Sequence, residues 1–154
     1  MKNEFMKRAI ELSVESVNNG GGPFGCVIVK SDKIIAEGSN KVTSDNDPTA
    51  HGEIVAIREA CKKLNNFSLN QCELYSTCEP CPMCLSAIYW ARIKKIYYGN
   101  TREDARKIDF DDSLIYTELQ KSIDKRKIPM IQIMRNEALK AFELWDNKKD
   151  KIKY

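Results

Sequence analysis

The fold is decided by residues 73–98, which read ELYSTCEPCPMCLSAIYWARIKKIYY. Residues 73–77 and 94–98 are runs rich in aliphatic and tyrosine side chains, and each run is typical of a strand. Residues 82–91, between them, predict a short helix. A strand, a helix and a second strand in this order predict two parallel strands joined by a right-handed crossover.

Further elements lie on both sides of this unit. We expect helices at residues 3–17, from about residue 48 onward and at 137–145, and strands at residues 26–29, 34–36 and 128–134. The second helix is expected to begin between Asp47 and Ala50, with Asp47 as its cap and Pro48 in its first position. Helices that alternate with about five strands predict an α/β fold, namely a three-layer α/β/α sandwich with a mixed sheet.

The composition of the 154-residue chain is that of one compact domain, and we predict a single domain over residues 1–154. Hydrophobic residues make up 42% of it, which is enough for a core and too much for intrinsic disorder. Residues 1–8 lack the apolar region of a signal peptide, and no apolar run approaches the ~20 residues of a membrane span. We therefore expect a cytoplasmic protein with no membrane partner. The net charge of +3 is too small to argue for nucleic acid.

The chain has six cysteines and one histidine. A single histidine excludes any metal centre within one chain that needs two of them, so a metal site must rely on sulfur or carboxylate ligands. Cytosolic thiols stay reduced, and we therefore do not expect three disulfides. Cys26, Cys61 and Cys72 lie in predicted strands or on the apolar stripe of a helix, and we interpret them as core residues.

Two short motifs each open a predicted helix: residues 51–53, His-Gly-Glu, and residues 80–84, Pro-Cys-Pro-Met-Cys. Cys81 and Cys84 are three positions apart and so share a helix face, and a helix N-terminus favours their thiolate form. Together with His51 they offer one nitrogen and two sulfurs, a zinc-type set of ligands that leaves the fourth position open. A catalytic zinc uses such a position to hold and acidify a water.

Glu53 follows His51 by two positions, and in a first helical turn both side chains can converge beyond the end of the helix. There Glu53 would take a proton from the zinc-bound water and pass it to a leaving amine. H-x-E followed by P-C-x-x-C is the pattern of zinc deaminases, and both halves are present here in that order. The two motifs together therefore indicate hydrolytic removal of an amino group.

Cys78 leaves two other interpretations of the cysteines open. It could be a fourth ligand of a structural zinc, or the first residue of an iron–sulfur run with Cys81 and Cys84. The usual fourth cysteine and spacing of such a run are absent from the sequence. We expect Cys78 instead to line the end of a strand beside the site.

Several segments carry a resemblance to a known family. They are residues 21–25 (GGPFG), 46–51 (NDPTAH), 78–84 (CEPCPMC), 87–92 (AIYWAR) and 110–113 (FDDS). On these segments the chain resembles the cytidine deaminase-like superfamily of zinc hydrolases. Residues 110–116 and the terminal Tyr154 make it most similar to the guanine deaminases within that superfamily.

The resemblance implies a cytidine deaminase-like fold with one zinc ion per chain. It assigns the zinc ligands to His51, Cys81 and Cys84 and the proton shuttle to Glu53. It also implies a set of residues around a purine base: Asn40 as a hydrogen-bonding partner, Phe24 and Trp90 as borders, Asp112 on the guanine edge and in proton transfer, and Tyr154 as a cover. The C-terminal segment, about residues 136–154, is expected to be exchanged between the two subunits of a homodimer. The family motif usually reads His-Ala-Glu, and Gly52 is a departure from it.

The activity implied by the resemblance is hydrolysis of guanine to xanthine and ammonia, with the zinc-bound water as nucleophile. A tRNA adenosine deaminase would share the metal site, and Arg102, Arg106 and Lys107 are the kind of residues that favour it. Acidic residues lie among these basic ones, however, as on an ordinary solvated surface, so nucleic acid is not the expected partner. Two further alternatives are a deaminase of another small nucleobase or heterocycle and a non-catalytic protein with structural zinc.

Overall fold

The computed structural model describes residues 2–154, which divide into two compact units, one ending at Asp112 and the other comprising Ser113–Tyr154. The first unit contains α1 (Lys2–Asn18), β1 (Gly25–Lys30), β2 (Lys33–Ser39), α2 (Val42–Asp45), α3 (Gly52–Leu64), β3 (Cys72–Cys78), α4 (Pro82–Trp90), β4 (Lys95–Asn100) and α5 (Arg102–Arg106). The second unit contains α6 (Ser113–Gln120), a 3₁₀ turn (Ile123–Lys125) and α7 (Arg135–Asn147). None of the described helices is long and apolar enough to cross a membrane.

The first unit is built on a four-stranded sheet in the order β2-β1-β3-β4. β1 runs antiparallel to both β2 and β3. β3 and β4 run parallel, with Tyr75 opposite Tyr97, and α4 connects them along the chain. The predicted strand–helix–strand unit and the predicted mixed sheet are therefore confirmed.

The sheet lies between two layers of helices. One face packs against α1 in a core that consists of Phe5, Ala9, Leu12, Val27, Val29 and Tyr75. The opposite face packs against α3 and α4 in a second core that includes Cys26, Ile28, Ala56, Ala60, Leu74 and Ile88. Successive residues of β1 alternate between the two cores because strand side chains point to opposite faces. This arrangement confirms the predicted three-layer α/β/α sandwich.

The three cysteines that we interpreted as core residues lie in or against the core. Cys26 and Cys72 are fully buried in the core beneath α3 and α4. Cys61 is half-buried and packs against the same core. All six cysteines are free thiols, as expected.

Two glycines allow the helices to lie very close to the sheet. A Cβ atom added at Gly38 would collide with the backbone oxygen of Gly52 at the start of α3. One added at Gly25 would collide in the same way with the backbone oxygen of Ala9 in α1. Larger residues at these positions would push the helix layers outward, and the start of α3 would move with its layer.

The prediction of about five strands is wrong by one in the described part of the chain, because residues 128–134 form no strand. The segment is irregular, and the exposed fractions of Ile128, Ile131 and Ile133 are 78%, 81% and 75%. Apolar, β-branched residues form a strand only when a neighbouring strand accepts and donates the backbone hydrogen bonds. Residues 113–154 contain no described strand that could do so.

The predicted start of the second helix is also wrong, because α3 begins at Gly52 rather than between Asp47 and Ala50. The carboxylate of Asp47 instead accepts hydrogen bonds from the backbone nitrogen and the hydroxyl of Thr49, at 2.8 and 2.7 Å. This local turn uses the acceptor that would have capped a helix. The chain therefore reaches α3 in extended conformation at His51.

Candidate active site

His51 and Cys81 both occupy the position immediately before a helix. His51 precedes α3 with φ −67° and ψ 156°, and Cys81 precedes α4 with φ −64° and ψ 167°. Pro82 supports the start of α4, because its fixed φ suits the first turn of a helix. Both helices pack on the same face of the sheet. The free N–H groups at their N-terminal ends favour negative charge there.

The ligand atoms of the two motifs meet at these helix ends. The Sγ atoms of Cys81 and Cys84 each lie 3.5 Å from Nδ1 of His51. All three atoms lie within 4.8 Å of one another, and among the residues from 2 to 154 this is the group that could hold a metal ion. One imidazole nitrogen and two thiol sulfurs form a donor set that suits zinc, so the residues present fit this ion.

The three ligands influence one another's protonation. The pKa of the Cys81 thiol is lowered to about 4, chiefly by a hydrogen bond from Cys84 and also by one from His51. The pKa of Cys84 is raised far above its usual value, because its thiol donates that bond and because it is buried. The pKa of His51 is raised, first of all by its hydrogen bond with Cys81. A divalent cation shared by the three would favour two thiolates and a neutral imidazole.

Glu53 is a buried carboxyl group in the first turn of α3, with an exposed fraction of 7%. Its Oε1 atom accepts a hydrogen bond from the hydroxyl of Ser76 on β3, at 3.1 Å. Burial raises the pKa of Glu53, and the hydrogen bond from Ser76 opposes that rise. A buried carboxyl group with a raised pKa accepts a proton more readily than an exposed one.

Gly52 leaves room for the alanine that is usual in the His-Ala-Glu motif. A Cβ atom added there would find its nearest neighbour, the backbone oxygen of Gly38, at 3.4 Å, which is ordinary van der Waals contact. The glycine is therefore not required by space at this position. An alanine would fit at this position without a steric clash.

Three further segments of the first unit meet around Phe24. Its ring contacts the ring of Phe110 edge to face, with the centroids 4.9 Å apart. Its backbone oxygen accepts a hydrogen bond from the nitrogen of Asn40, at 3.1 Å. The amide Oδ1 atom of Asn40 in turn accepts one from the nitrogen of Val42, at 3.2 Å. The structure thus brings Phe24 and Asn40 together, and their expected roles beside a purine base stay predictions.

Asp112 lies close enough to the metal-ligand group to interact with it electrostatically. Its pKa is raised, first by partial burial and next by repulsion from Cys81. Trp90 is the last residue of α4, and 67% of its surface is exposed. Tyr154 belongs to the second unit, where it is 71% exposed, and its expected role as a cover stays a prediction.

Cys78 lies outside the group of metal ligands. It is buried at the end of β3, and its thiol donates to the backbone oxygen of Thr101, at 3.6 Å. Burial, with repulsion from Glu53, raises its pKa to about 11. The expectation that Cys78 lines a strand end is confirmed. The alternatives that made it a fourth ligand find no support in this geometry.

Residues 1–100 match the family model described as the cytidine and deoxycytidylate deaminase zinc-binding region. The chain belongs to this family. Guanine deaminase of Bacillus subtilis (strain 168) is 54% identical to it over 151 residues, which are 97% of each chain. The X-ray structure of guanine deaminase from Bacillus subtilis matches with a TM-score of 0.95 and 53% identity, and the match covers 99% of this chain and 98% of that one. The tRNA-specific adenosine deaminase of Buchnera aphidicola subsp. Schizaphis graminum is 41% identical over 136 residues, 88% of this chain and 87% of the relative.

Sequence reasoning missed one residue of this deaminase that contacts the site. Ser76 is separated from Glu53 by 23 positions and lies within an otherwise ordinary strand. A single serine in a strand carries no motif, and only its burial next to a carboxylate distinguishes it. Phe110 lies in one of the segments that resemble the family, but no role is assigned to it from the sequence. Its position directly before two aspartates could have indicated a residue near the site.

Proposed function

We propose that this deaminase hydrolyses guanine to xanthine and ammonia in a zinc-dependent reaction. The observation that carries the proposal is the extent of the similarity to the guanine deaminase of Bacillus subtilis, which is 54% identical over 97% of both chains. That similarity includes the segment after residue 100, which lies beyond the family model. The tRNA-specific adenosine deaminase covers less of the chain at lower identity.

His51, Cys81 and Cys84 would hold one zinc ion per chain. The distances among their ligand atoms and the nature of those atoms support this assignment. Zinc bound by three protein ligands supplies Lewis acidity, which provides a hydroxide nucleophile at neutral pH. The N-terminus of α4 at Cys81 favours the thiolate form that such binding requires.

Glu53 would move the protons of the reaction. Its carboxylate takes one proton from the attacking water and delivers it to the amino group that leaves as ammonia. Burial supports this role, because it raises the pKa of the carboxyl group above its ordinary value and so makes it a better proton acceptor. The carboxyl group ends the cycle in the state in which it began.

The base would lie beside Phe24 and Asn40. The edge-to-face contact of Phe24 with Phe110 supports an aromatic wall on one side, and the amide of Asn40 suits the polar edge of a purine. Asp112 would accept hydrogen bonds from the guanine edge and assist proton transfer to the amino group. Trp90 would border the base and Tyr154 would cover it.

The protein would act as a homodimer in which each subunit contributes about residues 136–154 to the other. No residue from 113 to 154 is buried, although the segment exposes large apolar side chains such as Ile131, Phe142 and Leu144. Burial of such side chains against a second copy would stabilise the segment. Residues 1–154 would then work as one functional domain in the cytoplasm, with a small purine rather than a nucleic acid or a membrane as partner.

An ammonia-release screen tests the proposed substrate. The purified, zinc-loaded protein is given guanine, adenine, cytosine, cytidine, guanosine and a tRNA stem-loop that contains adenosine. We expect turnover of guanine well above that of every other compound. Turnover of the stem-loop without turnover of guanine would contradict the proposal and favour a tRNA adenosine deaminase. Turnover of another base alone would also contradict it and would identify a deaminase of a different small heterocycle.

A further inference from the structure

The hydroxyl of Ser76 connects the sheet to the carboxyl group that we assign to proton transfer. Ser76 lies on β3, opposite Cys26 of β1 and Tyr98 of β4, and only 2% of its surface is exposed. Its Oγ atom donates to Oε1 of Glu53 at 3.1 Å. Both groups are buried, so the bond is shielded from competing water.

The position of Ser76 explains why a polar residue is present in this part of the strand. Cys26, which pairs with Ser76 from the adjacent strand β1, belongs to the core between the sheet and α3. A hydroxyl group in such an environment destabilises the fold unless it has a hydrogen-bonding partner. The partner here is the carboxylate at the start of α3, which approaches the same face of the sheet.

We propose that Ser76 is a positioning residue of the deamination: its hydroxyl holds Oε1 of Glu53 and thereby fixes the orientation of the carboxyl group in the site. This inference rests on the proposed function of Glu53. A serine hydroxyl that donates to Oε1 fixes the plane of the carboxyl group. The thiol of Cys84 is a second side-chain hydrogen-bonding partner of the same carboxyl group.

The same hydrogen bond fits both protonation states of Glu53. In the ionised state Oε1 is a carboxylate oxygen, and in the protonated state it is the carbonyl oxygen of the acid, which still accepts from Ser76. The hydroxyl proton of Ser76 stays on serine in both states, so the hydrogen bond holds the carboxyl group in one orientation.

Thr77 provides a matched control on the same strand. It is also buried, with 3% of its surface exposed, and its hydroxyl also makes one hydrogen bond: Oγ1 accepts from the backbone nitrogen of Gly25, at 3.0 Å. Its side chain points to the opposite face of the sheet from Ser76. Loss of this hydroxyl weakens the fold without affecting Glu53.

The experiment compares Ser76→Ala and Thr77→Val with the unchanged protein, all zinc-loaded. The quantities measured are kcat and KM for guanine, zinc content and melting temperature. We expect Ser76→Ala to lower kcat about tenfold, a part of the ~10²–10⁴ that general acid–base catalysis contributes. Its KM and zinc content should stay unchanged, whereas Thr77→Val should lower the melting temperature and leave kcat within about twofold.

Two further variants make the result specific to the hydrogen bond. Ser76→Thr retains the hydroxyl and should restore most of kcat. Ser76→Ala added to Glu53→Gln should cause no further loss, because there is no longer a proton transfer to position. If Ser76→Ala does not fold, Ser76→Cys, which has a similar size and a weaker donor, is measured in its place with the same expectation.

Three outcomes would overturn the inference: an unchanged kcat in Ser76→Ala, a loss of kcat that matches a loss of zinc, or an equal loss in Thr77→Val. Failure of the proposed function gives a different result. If Glu53→Gln remains active, Glu53 is not the proton shuttle and both ideas fall. If Glu53→Gln is inactive while Ser76→Ala is as active as the unchanged protein, only the role of Ser76 is wrong.

Discussion

The two units of the chain use apolar residues in opposite ways. In the unit that ends at Asp112, aliphatic and aromatic side chains from all three layers form two cores, one on each face of the sheet. In Ser113–Tyr154, the structure shows helices but no buried residue, and Ile128, Ile131 and Leu144 are at least 75% exposed. The chemical groups described above, from His51 to Asp112, all lie in the first unit. The comparison teaches that the residues proposed for the reaction belong to the unit with two cores, whereas the other unit leaves large apolar side chains exposed.

The largest effect should come from substitution of a proposed metal ligand, which tests whether the first unit contains the zinc site. Cys81→Ala removes one of three zinc ligands and should abolish both zinc binding and deamination, as measured by metal analysis and ammonia release. Cys78→Ala is the matched control, since Cys78 is a buried thiol on the neighbouring strand end but lies outside the ligand group. It should retain zinc; loss of zinc in that control would make Cys78 a ligand after all.

Glu53→Gln should have the next largest effect. The amide cannot take a proton from water, and we expect kcat to fall by about 10³, within the range for loss of a general acid–base group. Zinc content should stay at about one ion per chain, because Glu53 is not among the grouped ligands. A variant with normal zinc content and normal ammonia release would exclude Glu53 as the proton shuttle.

Deletion of residues 136–154 tests whether the exposed apolar residues of the second unit are required for a dimer. We expect a monomer that keeps its zinc, since the ligands and both cores lie in the first unit. Light scattering after size exclusion gives the mass, and metal analysis gives the zinc content. Guanine turnover should be largely lost, because Tyr154 is removed with the segment. A truncated chain that is still dimeric would show that these residues do not form the dimer.

Tyr154→Ala sharpens that result, because it removes one side chain and leaves the segment in place. If the ring covers the base, KM for guanine should rise about tenfold, since contact between an aromatic ring and a base contributes about 1–3 kcal/mol. Zinc content and dimer mass should not change. Tyr116→Ala, another tyrosine of the second unit, is the control, and an equal rise in KM there would argue against a specific cover.

The smallest effect should come from the surface charges that connect α1 to β2. Arg8 donates to both carboxylate oxygens of Glu37, at 2.9 and 2.8 Å, and these hydrogen bonds lower the pKa of Glu37. The stabilisation is therefore present above the ordinary value of 4.5 and is lost as pH falls through the lower value in the folded state.

Arg8→Met should lower the free energy of unfolding by about 1 kcal/mol at pH 7, since both side chains are partly exposed. The difference from the unchanged protein should shrink as the pH falls below 4.5 and through the lowered pKa of Glu37, and urea denaturation at pH 7 and at acidic pH measures it. Arg106→Met is the control, because its pair with Glu103 is exposed and lies within a single helix. A loss at pH 7 of several kcal/mol would show that the ion pairs, rather than the two cores, stabilise the first unit.

The parts of the fold and site that could be predicted depend on local spacing. His51, Cys81 and Cys84 belong to two short motifs, and the helices that follow them are also visible in the sequence, so the meeting of their ligand atoms could be anticipated. The contact of Ser76 with Glu53 could not, because it depends on how α3 lies on β3 rather than on any pattern along the chain.

The wrong predictions have the same origin. Residues 128–134 have the composition of a strand, but a strand also needs a neighbour, and composition says nothing about where that neighbour is. Asp47 has the side chain of a helix cap, but Thr49 offers it two closer donors, so the helix begins at Gly52, four residues after Pro48. In both cases a partner in space, rather than propensity, decided the outcome.

The placement of the ligands at two helix ends also links metal content to the folding equilibrium. His51 and Cys81 are 30 positions apart in the sequence, so an ion that binds both closes a loop of that length, as a covalent cross-link would. An ion that binds only the folded chain adds its binding free energy to the stability of the whole first unit by mass action. The concentration of available metal would therefore influence the lifetime of the folded protein as well as its catalytic rate.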